Sequence, residues 1–493
     1  MPQSIDYHAI LPELILAGTI LLVLIADAFL PARRRWFAMP LSLVGVIATL
    51  VATLTLLGDD RSTFDGHFVV DNFALTFKLF FLAAAVIVLA LSLRYIREGG
   101  FYQGEFYFLL LVSFLGCMLM PSSRDLLMLF IALELVSGPG FLMAAFRKAD
   151  VRSNEAGLKF FLIGVLSAAV MLFGMSLIYG VTGGETGLNE IAAALAGLEG
   201  GELSLAYASI LFVVVGFAFK VSAFPFQFWA PDTYEGAPVP VAAFLAVASK
   251  AAGFAGLLQL MFVAFIGQHE FWVPIFVFLS VGTMTLGNLV ALQQTQVVRL
   301  LAYSGIAQAG YILLPFALVT DDAASNAIAF SAAIAYILIY GIMNLGAFAV
   351  VTAVSRRHPR ANILDFAGLW RTAPVLAVGM TMFMVSLAGV PPTGGFWAKI
   401  LIFRAAIERG GDLGIWLAVA MLVNSVVSIY YYFLVPRQML FKDPERDERL
   451  RVPVLVTAVV GLAMVALLAI FVLPGPFADV ADLSVFRSLA VGG

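Results

Sequence analysis

The chain has 493 residues, of which 62% are hydrophobic and only 12% charged, and its formal net charge is -3. About a quarter of the residues of an ordinary soluble domain are charged, so the composition excludes that class and points to an all-α integral membrane protein crossing the bilayer many times. The slight acidic excess excludes a nucleic-acid partner, and the single cysteine, Cys117, excludes an intrachain disulfide and any cysteine-ligated metal or iron–sulfur site.

Apolar runs long enough to span lie near 9–30, 37–57, 71–95, 104–121, 125–146, 157–181, 204–224, 239–266, 271–292, 297–319, 325–354, 373–402, 413–439 and 453–473, which makes about fourteen helices. The first has the outline of a secretory signal, an apolar core ending at Ala26-Asp27-Ala28. Its leading segment, however, carries Asp6 and no basic residue, and the run continues to Leu30 before Arg33-Arg34-Arg35, so it reads as a retained first span. Basic residues gather in loops of one parity: Arg33 to Arg35, Arg94, Arg97, Arg147, Lys148, Arg152, Arg299, Arg356, Arg357, Arg360, Lys442, Arg446, Arg449 and Arg451. The other parity is acidic, with Asp59, Asp60, Glu185, Glu190, Asp321 and Asp322. The basic side is expected to be cytoplasmic and both termini outside. The stretch Asp232-Thr233-Tyr234-Glu235 is expected as a cytoplasmic loop, and the tail Phe477 to Ala490 as either a short surface helix or disorder. His8, His67, His269 and His358 all fall in loops or near segment ends, which leaves no intramembrane histidine to bind haem or relay protons.

Against this background five charged residues stand inside or at the edge of apolar runs: Glu134, Lys159, Lys220, Lys250 and Lys399. A charge at mid-bilayer depth costs roughly 2.5–3.5 kcal/mol on insertion scales, and such residues usually face a polar interior and mark an ion or proton route. Loss of water destabilises a buried ammonium, which makes a deep lysine a loadable proton site, and a nearby carboxylate controls that loading. Lys250 lies about three turns into its run, too deep to reach water by extending its stem. For Lys220 and Lys399, at the edges of proline-interrupted segments, the competing reading is a stem reaching the headgroups. Glu134 reads either as a structural carboxylate paired with a neighbouring helix or as the electrostatic partner of a buried lysine. Lys159 stands one turn after Glu155, the spacing of an ordinary helical ion pair. Ser222, Gln227, Tyr303, Ser304, Gln308, Tyr311, Asn344, Ser386, Asn424, Ser425 and Tyr430 to Tyr432 recur inside spans. They can hold the ordered water that lysine-to-lysine transfer needs, or serve as glue between helices.

A faint internal repeat links two of these regions. Val221-Ser222 is followed by Pro225 and Phe228-Trp229-Ala230, and Val385-Ser386 by Pro391-Pro392 and Phe396-Trp397-Ala398. Proline inside an apolar segment removes a helical hydrogen bond. Interrupted segments at corresponding places in two halves point to a transport site; two unrelated proline kinks are the plainer alternative.

The residues also carry a family resemblance. The segments 124–135, 155–164, 176–183, 219–238, 299–304, 343–348, 386–396, 424–425 and 430–432, collinear over roughly 10–470, resemble the antiporter-like membrane subunits of respiratory NADH:quinone oxidoreductase (complex I), with the sixth-helix segment favouring the N-type. The resemblance implies about fourteen helices and two inverted five-helix repeats in which helices 7 and 12 are broken. It divides the chain into 1–103 (helices 1–3), 104–266 (first repeat), 267–440 (second repeat) and 441–493 (last helix and tail). It implies proton translocation in a bacterial inner membrane, driven by quinone reduction in other subunits. Glu134 and Lys220 would be the input pair, Lys250 the central relay and Lys399 the output site, supported by Lys159, Ser222, Gln227, Tyr303, Gln308 and Asn344. No cofactor is expected in this chain; flavin, iron–sulfur clusters and quinone belong to other subunits. The expected partners are the other membrane-arm subunits, lipid, protons and water. Two departures stand out: Gln227 and Gln308 replace the family's usual histidines, and the arginine that commonly follows the tyrosine run gives way to Leu434-Val435-Pro436. Glutamine orients water but takes up no proton. A subunit of a multi-subunit cation/proton antiporter, the equivalent subunit of a ferredoxin-fed quinone reductase, and a non-conducting assembly subunit are the alternatives.

Overall fold

A computed structural model describes residues 5–30, 36–101, 103–444, 448–484 and 486. The expected basic cluster Arg33 to Arg35, Arg446 and most of the tail beyond Ser484 lie outside the described residues. The fold is helical, with one small antiparallel hairpin, Arg61–Thr63 paired to Phe68–Val70 with Arg61 opposite Val70. Among the described residues twelve helices are long and apolar enough to cross a membrane, and two more apolar helices, Ala38–Leu54 and Pro374–Ala388, are shorter. The chain divides into two compact units. The first holds the chain up to Leu89, Ile96–Ser222 and Ala248–Pro274; the second holds Ala90–Tyr95, Ala223–Val247 and everything from Ile275 onward.

Some helix starts are set by aspartates that satisfy the unpaired first amides. In the first unit Asp125 accepts from the amides of Leu127 (2.8 Å) and Met128 (3.0 Å) to open Leu126–Ala144. Asp150 caps Val151–Val181 in the same way. That helix begins six residues before the expected 157 because its first turn is polar, with Arg152, Ser153, Asn154 and Glu155, and an apolar-run criterion trims it. Sequence reading also missed the hairpin and the eight-residue helix Leu188–Leu195, both too short to announce themselves by periodicity.

Both expected interruptions are present. The helix Gly200–Lys220 stops at Lys220, Ser222 takes a left-handed backbone (φ +61°), and helix resumes over Trp229–Gly236. The helix Pro374–Ala388 stops at Gly389 (φ +82°) and resumes at Gly394 to run to Arg409. The stretch 389–393 therefore divides the span expected over 373–402. In each case proline removes the amide that would continue the ladder, and the Phe224–Pro225 and Pro391–Pro392 bonds are cis. Asp232-Thr233-Tyr234-Glu235 is not a loop but part of the Trp229–Gly236 helix. Its Trp229 and Tyr234 are buried, and both its acids bond Arg299, at 2.9 Å from Asp232 and 2.7 Å from Glu235. The polar letters that suggested a loop are the anchored face of an amphipathic turn.

The span Val239–Ala264 is wholly buried over its apolar length. Proline at its second position suits a helix start. Two wide π-helical turns, Leu245–Ser249 and Leu260–Ala264, bracket an ordinary α-helical piece, Lys250–Gln259. Such turns are rare and concentrate at functional sites.

Candidate functional site

In the first unit the break after Gly200–Lys220 leaves Lys220 as the last helical residue, 2% exposed. Its ammonium donates to the Ser137 hydroxyl at 2.8 Å. Glu134 stands one turn before Ser137 on Leu126–Ala144, so both project toward the same face; Glu134 is half-buried and interacts electrostatically with Lys220. Gly253, three residues after Lys250, packs on this lysine: a Cβ there would sit 2.8 Å from Lys220 Cγ and 3.1 Å from Val221 Cγ1. The absent side chain lets the helix that carries Lys250 (2% exposed) pass directly against Lys220. Ser222, next to the break, has a buried hydroxyl with no protein partner. The input pair and the helix that carries the central lysine of the expectation are therefore brought together. Lys159 is not: it pairs with Glu155 at 2.7 Å on a half-exposed face, the ordinary helical pair its spacing predicts.

In the second unit Lys399 is 9% exposed and lies one turn into Gly394–Arg409. It donates to the Ala388 carbonyl at 2.8 Å, one of the unpaired carbonyls at a helix C-terminus, where a cation is favoured. Its ammonium also lies 4.9 Å from the Tyr311 ring centroid. The neighbouring carbonyl, Leu387, accepts from Gln308 Nε2 at 2.9 Å. Gln308 Nε2 also bonds the Tyr432 hydroxyl at 2.9 Å, its Oε1 accepts from the Tyr336 hydroxyl, and Tyr432 in turn meets Ser304. Across the break the Gly395 amide donates to Ser386 Oγ at 3.1 Å. A second cluster centres on Asn288, whose amide nitrogen donates to Tyr311 (3.1 Å) and to the Asn424 carbonyl (3.1 Å) while its oxygen accepts from Tyr431 (2.9 Å). Gln308 thus serves as an organiser of hydroxyls and helix-end carbonyls. Asn344 and Gln227 each hold a buried amide oxygen with no protein partner, and Tyr303 is half-buried outside the chain of hydrogen bonds.

Residues 123–428 match the family model described as NADH:quinone oxidoreductase/Mrp antiporter, transmembrane. The chain belongs to that family. A relative named NADH-quinone oxidoreductase subunit N, from Trichlorobacter lovleyi, is 40% identical over 96% of this chain and 95% of its own length. A Synechocystis relative named NAD(P)H-quinone oxidoreductase subunit 2 is 42% identical over 90% of this chain and 84% of its own. A chain of respiratory complex I from Thermus thermophilus superimposes with a TM-score of 0.80 at 33% identity, covering 95% of this chain and 98% of that one. The resemblance read from the segments above is therefore correct at the level of the N-type subunits, and so is the all-helical, antiporter-like membrane fold.

This family member carries polar groups that sequence reading passed over. Lys78 (side chain 0% exposed) and Glu13 (8%) form an ion pair at 2.8 Å in the first unit. The contact is ionic, off the hydrogen-bond direction, and the ammonium also lies 4.8 Å from the Phe68 ring centroid. The signal was available, since Lys78 sits inside the apolar run 71–95 just as Lys250 sits inside its own. Breaking one member of such a pair costs about 3–5 kcal/mol because it strands a buried charge. Arg124 only opens the segment 124–135 in the sequence, yet it is a nearly buried hub. Its Nη2 pairs with Asp71 at 2.6 Å, and its Nη1 donates to the Pro121 carbonyl at 2.8 Å, to the Ser123 carbonyl at 3.3 Å and to the Gln259 side-chain oxygen.

Proposed function

We propose that this chain is a proton-translocating membrane-arm subunit of a bacterial-type NADH:quinone oxidoreductase, itself free of redox cofactors and driven by quinone chemistry in partner subunits. The observation that carries the reading is the placement of Lys220 and Lys399. Each sits at a break in an apolar helix, nearly buried, with its ammonium held by a neutral oxygen rather than a carboxylate: Ser137 Oγ for one and the Ala388 carbonyl for the other. A neutral acceptor orients an ammonium without locking its charge in place, which suits a group that must load and release a proton. Glu134, one turn from Ser137, is the group whose movement would switch Lys220. Transfer would then run from Lys220 to Lys250 and on to Lys399, with Ser222, Gln227, Gln308 and Asn344 orienting water and Lys159 as a peripheral charge. The unpaired buried oxygens of Ser222, Gln227 and Asn344 support hydration of the route, because buried polar atoms without a protein partner usually bond water.

The 40% identity to a subunit N over almost the whole length favours this assignment over a stand-alone cation/proton antiporter. The reading places the chain in the inner membrane with both termini outside. The test is Lys250→Ala in the assembled complex, reconstituted in vesicles. NADH:quinone electron transfer should persist at a reduced rate while the ΔpH formed per electron falls. Full ΔpH per electron with normal assembly would refute the relay, and a ΔpH that requires sodium or potassium would favour the antiporter.

A further inference from the structure

We infer that the first unit holds a molecule of phosphatidylethanolamine, a zwitterionic phospholipid with a primary ammonium, in a crevice where the ends of four helices meet on the side of the basic loops. No step of the lysine relay depends on this lipid, so the relay and the lipid site fail on different measurements.

The crevice is built by the last turns of Leu11–Phe29 and Leu126–Ala144 and the first turns of Gln103–Ser122 and Val151–Val181, with the connection between the last pair. Its volume is about 540 Å³, within the roughly 300–1,000 Å³ of small-molecule sites. The walls are apolar, formed by Leu24, Phe108, Leu109, Leu142 and Phe146. The polar lining, Asp27, Glu105, Lys148 and Asn154, falls toward the helix ends. From Leu24 to Asp27, and from Leu109 back to Glu105, is about one turn, a rise of roughly 5–6 Å. That is close to the thickness of one headgroup layer, roughly 5–7 Å. The crevice therefore passes from apolar to polar over the same depth as a lipid does. It also opens sideways, since Leu24 and Leu142 are 45% and 61% exposed.

The mouth carries both signs of charge. Asp27 and Glu105 stand there with Lys148, which pairs with Glu105 at 3.3 Å. Both members of that pair are largely exposed, and an exposed pair contributes little, so a ligand offering both charges can open it and bond both halves. Asp27 lies against the backbone of the neighbouring helix because residue 104 is glycine; a Cβ there would collide with its carboxylate. The helix ends add both signs again, because the C-termini at Phe29 and Ala144 favour a cation and the N-termini at Gln103 and Val151 an anion. A purely basic pocket at this level suits an anionic lipid. Here carboxylates outnumber the ammonium, which opposes a phosphate unless a cation comes with it. Phosphatidylethanolamine brings one. Its phosphate accepts from Lys148, its ammonium donates to Asp27 and Glu105, and one acyl chain lies along Leu24, Leu109 and Leu142. The quaternary headgroup of phosphatidylcholine has no N–H to donate and is the weaker ligand.

The experiment uses the assembled complex in phosphatidylcholine vesicles doped with phosphatidylethanolamine that carries a photoreactive diazirine on one acyl chain. After illumination the label should map on this subunit to 104–109 and 142–146. Excess unlabelled phosphatidylethanolamine should displace it, and phosphatidylcholine and phosphatidylglycerol should not. Asp27→Asn should cut the label on the order of tenfold, the loss of one charge-assisted hydrogen bond. Leu142→Trp fills the crevice from its exposed side; it should abolish the label and leave quinone reduction intact, which keeps the test decisive if Asp27→Asn does not assemble. Equal labelling by the same diazirine on phosphatidylcholine, displacement by phosphatidylglycerol, or a label that survives Leu142→Trp would reduce the occupant to unselected bilayer lipid and overturn the site. A crevice left unlabelled because a neighbouring subunit covers it would overturn it too. Full ΔpH per electron in Lys250→Ala bears on the relay alone.

Discussion

At the scale of the residue, charge in an apolar run marks the buried lysines, though it also picked out the half-exposed Lys159. Lys220, Lys250 and Lys399 were legible because nothing in a hydrocarbon environment tolerates an ammonium without a reason, and all three are buried. Their partners were not legible. Ser137 reads as one more small residue, and the Ala388 carbonyl carries no sequence signal at all; only the break in the helix exposes it. Outside the spans, Asp6 shows how local bonds tune a carboxylate. The Arg61 guanidinium beside it, and then the Ala9 and His8 amides, hold its carboxyl below the usual range. A lowered folded value stabilises the folded form above the unfolded carboxylate value, and that stabilisation is lost as pH falls through the folded value. Protection from hydrogen exchange at His8 and Ala9, taken relative to the intrinsic rate at each pH, should therefore fall on acidification below about pH 4. Asp6→Asn should show the lowered protection already at neutral pH; full protection in that variant would show that the charged bonds do not hold this segment.

At the scale of the element, proline marked both breaks in the sequence, because the missing amide is a property of the residue itself. The wide turns around Lys250–Gln259 left no such mark. They insert a residue into the hydrogen-bond register without changing composition, so apolar runs and caps cannot find them. The Trp229–Gly236 helix was hidden for the opposite reason: its polar letters imitate a loop, and only Arg299 explains them. The second break depends on a close approach that a single methyl tests. A Cβ at Gly395 would run into the Ser386 carbonyl, whereas Gly201 has open space around it. Gly395→Ala should destabilise the subunit by about 1–3 kcal/mol, the cost of overpacking, read as a lower melting temperature and less assembled complex. Gly201→Ala, in a helix without a clash, should be neutral or mildly stabilising. Equal behaviour of the two variants would remove the steric account.

At the scale of the whole molecule, composition alone fixed the class and the apolar runs fixed most of the helices. The count was softer. Seventeen residues in Ala38–Leu54 rise about 26 Å, a little short of a 30 Å hydrocarbon core, and the broken span is two helices rather than one. Each of the two compact units has one interrupted helix end with a lysine held by a neutral oxygen, and the faint repeat of Val-Ser, proline and Phe-Trp-Ala marks both breaks. One detail of the first unit gives the protein a reporter of its own. The wide turn Leu245–Ser249 slackens the backbone ladder just before Lys250, and the Ala248 carbonyl in it accepts a weak bond, at 3.8 Å, from the thiol of Cys117. That thiol is the sole sulfhydryl in 493 residues and is fully buried. A maleimide should therefore find no target on this subunit in the resting complex, and any label the subunit acquires while NADH is being oxidised would time-stamp the moments when this turn lifts off its seat; identical labelling of the subunit at rest and at work would mean that it never does.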